Sequence, residues 1–129
     1  MAQRIVAWIF GSGLIGVAAL MLVSPATWYE NHPGVADHGP LNAHFVRDIG
    51  CANLVAGAAI VLAIVMPDKA RTLLAGATAF LSLHAAIHLG EWLFGHGHSP
   101  ATLGEAATVY LPVLVSAWLV TAAPGLARA

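Results

Sequence analysis

Four long apolar stretches alternate with short polar ones along the chain: Ile5 to Val23, Phe45 to Met66, Thr72 to Phe94 and Glu105 to Ala122. Each is near the ~20 residues that a helix needs to cross the hydrocarbon core of a bilayer. The stretches are continuous and rich in Ala, Leu, Val and Gly, without the alternation of outer-membrane barrel strands, so they predict helices. The expected fold is all-α, a single four-helix transmembrane bundle spanning residues 1–129. The first stretch has the look of a secretory signal, with Arg4 before it and Ser24 and Ala26 after it, but its length favours a retained span.

Composition agrees with that pattern. The chain is 59% hydrophobic and 9% charged, with a mean hydropathy of +0.80, where an ordinary soluble domain carries about 25% charged residues. A formal net charge of -1 leaves no broad basic surface, which argues against nucleic-acid binding. Basic residues in short loops are held on the cytoplasmic side during insertion. Arg4, Lys69, Arg71 and Arg128 then predict both termini in the cytoplasm, in the inner (plasma) membrane, with Arg47 inside the second span near its outer end. The outer loops become Ser24 to His44 and Gly95 to Gly104. The first, with Pro25, Pro33, Gly34, Gly39 and Pro40, is expected to be a long loop without an element of its own, begun by Trp28 and Tyr29 at the interface.

In this topology all seven histidines fall on the outer face, together with Glu30, Asp37, Asp48, Glu91 and Glu105. The third span ends in His84, His88 and Glu91 at helical intervals of four and three. Two imidazoles so spaced leave one helix face and can share a metal ion, and a carboxylate one turn on supplies a third ligand. His44, opening the second span, is the expected fourth. Zinc, copper or iron suits this mixed set, and a haem b held axially by His44 and either His84 or His88 is the alternative. It is not a zinc-protease motif, because Ala85 stands where the glutamate would follow the first histidine. Structural hydrogen bonding is an equal reading of the same residues. His96 and His98, and with them His32 and His38, are weaker loop candidates whose plainer reading is a solvated polar surface.

Asn42, Arg47, Asp48 and Glu105 read either as a second shell, with Asp48 orienting an imidazole, or as an interhelical polar network. Ionisable groups in a span are costly and normally pair inside the bundle. Arg47 and Asp48 are neighbours in sequence, so each is expected to look to another helix. Cys51, the single cysteine, reads as a small packing residue. Gly11, Gly13 and Gly16 carry the letters of a dinucleotide fingerprint, but no strand-to-helix turn is there to use them. Ser12 and Gly16, four apart, instead predict a close approach of another helix.

Four short spans, Pro25 near the start of the outer loop, and Arg47 close to Gly50 and Gly57 together resemble the DoxX-like group of small four-helix membrane proteins. The resemblance implies a compact bundle, sometimes associated with redox systems or quinone-linked membrane enzymes. The His84-His88-Glu91 stripe is not among the features it carries. Three functions follow from the residues: a metal- or cofactor-binding membrane protein, a noncatalytic subunit or assembly partner of a larger membrane complex or homo-oligomer, and a small enzyme acting on a lipophilic substrate. The glycine- and alanine-rich spans motivate the second, and an outer-side His and Glu exchanging protons would serve the third.

Overall fold

A computed structural model describes residues 1–32, 35, 39–94, 104 and 106–123. Among the described residues the chain is helical apart from short connections, with no strand. Three helices are long and apolar enough to cross a membrane: α1 (Ala2–Val23), α3 (Ala43–Val65) and α4 (Ala70–Leu93). A short α2 (Pro25–Asn31) follows α1, and the last apolar helix, Ala106–Thr121, is shorter than the other three. It begins as a π-helical turn, Ala106–Tyr110, and continues as α5, Leu111–Thr121. The cause is local: Pro112 has no N–H to donate to Thr108, and its ring crowds that carbonyl. A π turn in front of the proline accommodates both defects.

α2 corrects the expectation of a bare loop. Pro25 sits at the first helical position, where a missing N–H costs nothing and the fixed φ is already helical. Ser24 precedes it as N-cap residue, and its hydroxyl lies 2.7 Å from that of Thr27. The Tyr29 hydroxyl then donates to the Gly39 carbonyl, tying the far part of the connection back onto α2. Gly39 is at φ +121°, a conformation that only glycine adopts without strain.

The helices pack as a chain of neighbours: α1 on α3, α3 on α4, and α4 on α5. The α1–α3 seam is the tightest. A Cβ on Gly57 would fall 2.8 Å from the Gly11 carbonyl oxygen and 2.9 Å from Ile15 Cγ1, and one on Gly11 only 3.1 Å from the Gly57 carbonyl. Backbone meets backbone there, which only glycine allows. The approach predicted for Ser12 and Gly16 is therefore misplaced. Both are exposed, nothing lies within 4 Å of a Cβ built on Gly16, and Gly11, one position before Ser12, makes the contact.

The hydrophobic core lies at the end of the bundle that carries Arg4, Lys69 and Arg71, here called the basic end. Ala7 of α1, Ile60 and Ile64 of α3, Leu74 of α4 and Leu119 of α5 form its centre, all at most 2% exposed. Toward the opposite, histidine end, buried residues fall outside that cluster, with Met21, Val46 and Gly50 in the α1–α3 pair and Leu81, Ala85 and Val109 in the α4–α5 pair. One core at the basic end becomes two separate seams at the histidine end.

Candidate functional site

The polar end of α3 is built by its own first turns. Asn42 is the N-cap, its Oδ1 accepting from the Phe45 amide at 3.1 Å, so its side chain serves the helix terminus and not an interhelical network. One turn on, His44 Nε2 lies 3.5 Å from Asp48 Oδ2, with the two side chains 89% and 59% exposed. Arg47 points away from this pair. Its Nε donates to the Leu22 carbonyl at 3.2 Å, in the last turn of α1, where carbonyls have no partner within their own helix. A cation there also faces the negative end of the α1 dipole. Arg47 thus finds another helix as expected. Asp48 does not, because its own helix offers His44 at the i−4 position.

On α4 the sequence stripe forms a line of rings. Phe80 stacks on His84 with centroids 6.0 Å apart, and His84 meets His88 edge to face at 4.9 Å. Both imidazoles are half-buried, as is Glu91 one turn further, and His88 and Glu91 both act electrostatically on His84. The structure therefore brings His84 and His88 together. It leaves His44 with Asp48 on α3, and among the described residues no group of three or more His, Cys, Asp or Glu side chains is arranged to hold a metal ion. The expected set of His84, His88, Glu91 and His44 is thus not assembled into one centre. Glu105, His38, His96 and His98 lie outside the described residues.

His32 belongs to a different environment. Its ring stacks on Trp28 at 4.8 Å, and burial holds its pKa below the ordinary 6.5, because a charged imidazole would lose hydration there. Trp28 Nε1 is buried with no hydrogen-bond partner among the described residues.

Between α3 and α4 runs an open groove of ≈ 660 Å³ that residue-by-residue reading did not anticipate. Its α3 wall is Asp48, Cys51, Ala52, Val55, Ala56 and Ala59; its α4 wall is Thr72, Leu73, Gly76, Ala77 and Phe80. Cys51, expected to be packed, is exposed on this groove. The signal is present in the sequence as facing rows of small residues, Ala52-Ala56-Ala59 and Gly76-Ala77, but rows of that kind read first as contact surfaces. Phe80 connects the two features, since its ring lines the groove and stacks on His84. Compared with protein-family models, curated proteins and solved structures, the chain matches none.

Proposed function

We propose that this is a multi-pass inner-membrane protein that binds a transition-metal ion, zinc, copper or iron, or a haem b, at its histidine end. The carrying observation is the half-buried His84–His88 pair, two imidazoles 4.9 Å apart on one face of an otherwise apolar helix. Burying two such groups without a use is expensive in a span, where ionisable residues usually mark function. In this reading His84 and His88 are the first donors. Glu91, and the exposed His44, turn toward them to complete the set. The last apolar helix is a fourth span, both termini face the cytoplasm, and the histidine end faces outward, as the placement of Arg4, Lys69 and Arg71 favours.

Transition metals counted per chain by mass spectrometry on untagged protein test this, with an optical spectrum to separate haem from a bare ion. About one metal per protomer is expected by the coordination argument, lost in His88→Ala while the helical circular-dichroism signal stays. Metal-free wild-type protein, or stoichiometric metal retained in His88→Ala, overturns it.

A second reading, a noncatalytic subunit or assembly partner, is favoured by one face of α1. Ser12, Gly13 and Gly16 are exposed or half-exposed, and nothing lies within 4 Å of a Cβ on either glycine. Small residues left open on a span are what a partner helix uses to approach closely. Purification in mild detergent distinguishes this reading: a stoichiometric companion that Gly16→Leu releases supports it, and a chain that runs alone removes its support.

A further inference from the structure

We propose that the groove between α3 and α4 binds a single-tailed amphiphile whose head is a hydrogen-bond donor, an alcohol or an amine, with the tail along the groove and the head at Asp48. At ≈ 660 Å³ the groove falls within the ~300–1,000 Å³ of small-molecule sites. It is wide because side chains that would fill it are missing: Ala52, Ala56 and Ala59 face Gly76, and nothing lies within 4 Å of a Cβ built there.

Both walls belong to helices long and apolar enough to cross a membrane, so the opening faces hydrocarbon and most of the occupant must be apolar. Asp48 alone among the lining residues carries charge. An ionised carboxylate only accepts hydrogen bonds, so it selects donors and repels carboxylate or phosphate heads. The same charge argues against a helix of a second copy as occupant. A seated helix would desolvate Asp48, whose carboxylate has only an exposed histidine 3.5 Å away to compensate it. A small head leaves it wet and paired.

Cys51 gives a direct readout, being the single cysteine of the chain and exposed on the groove. The experiment uses the full chain in phosphatidylcholine nanodiscs and follows the rate at which N-ethylmaleimide alkylates Cys51, with hexadecanol, hexadecylamine or palmitic acid added. Hexadecanol and hexadecylamine are expected to slow alkylation severalfold and saturably, and palmitic acid to protect little.

Gly76→Leu, which places a side chain in the open groove and away from the packed seams, removes protection. Asp48→Asn removes the discrimination against palmitic acid. Thr72→Leu, at another point of the same wall, repeats the Gly76→Leu result in an independent variant. Absent protection in the wild-type chain overturns the proposal, as does undiminished protection in both filled variants. Protection that follows protein concentration and not added amphiphile assigns the groove to a second copy and equally overturns it. Metal content is the separate measure of the histidine centre, and the filled variants leave it unchanged.

Discussion

α3 turns a row of small residues toward each of its two neighbours, and the two rows end in opposite structures. Toward α1, Gly50 and Gly57 meet side chain and backbone so closely that an added Cβ would lie 3.0 Å from Met21 Cβ and 2.8 Å from the Gly11 carbonyl. Toward α4, Ala52, Ala56 and Ala59 face an open groove. Small residues permit close approach but do not cause it. The α1–α3 seam closes because glycine faces glycine at Gly11 and Gly57. On the α4 side Leu73 and Phe80 stand among the small residues that line the groove, while toward the basic end α3 and α4 share the hydrophobic core and are joined by the short turn at Pro67 to Lys69.

The largest effect is expected where that difference is sharpest. Gly57→Val forces atoms into the Gly11 backbone, and overpacking of this kind costs about 1–3 kcal/mol. The same change at Gly16, where a Cβ meets nothing within 4 Å, is expected to stay within ~0.5 kcal/mol, as for substitutions on open surface. Unfolding in mixed detergent, followed by circular dichroism, compares them. Equal losses at the two positions would mean that the seam is not where the stability resides.

Next come two polar contacts at the histidine end of α3, one within the helix and one to α1. Asn42→Ala removes the acceptor for the Phe45 amide, a loss of about 1 kcal/mol for an N-cap. Arg47→Met removes the donor to the Leu22 carbonyl while keeping an apolar stem, and a charge-assisted bond at an exposed site is worth about 1 kcal/mol. Because Arg47 joins α1 to α3 and not α3 to α4, its loss should leave the alkylation rate of Cys51 unchanged. A faster rate would show that Arg47 also restrains the groove.

The two faces also separate what could be foreseen from what could not. Apolar runs located α1, α3 and α4 to within a few residues, because twenty continuous apolar positions admit few alternatives. The glycine contact was missed by one position, since the small residues Gly11, Ser12, Gly13 and Gly16 offer several registers to a partner helix, and only packing against Gly57 chooses Gly11. α2 was hidden by Pro25, which signals a turn or a helix start equally well. The fourth stretch was located to within a residue of the helix Ala106–Thr121, but an apolar count does not register the π turn that precedes Pro112. His84 and His88 were placed together by spacing alone, being on one helix; whether His44 joins them depends on the distance between helices, which no spacing within a helix contains.

The smallest effect concerns the cap of the structure at α2. His32 is held neutral by burial against Trp28, its pKa below 6.5, whereas in an undocked α2 it titrates near 6.5. Between those two values the undocked form binds the additional proton, so docking is strongest above pH 6.5 and weakens as pH falls through that window. In a background where Trp8, Trp92 and Trp118 are phenylalanine, emission from Trp28 should shift to the red on acidification below pH 6.5, and His32→Gln should abolish the shift. No residue of α2 lines the groove, so Cys51 alkylation, corrected for the intrinsic pH dependence of the thiol, should not follow the same transition. If it does, the opening of α2 is coupled to the groove, and the two faces of α3 respond as one unit.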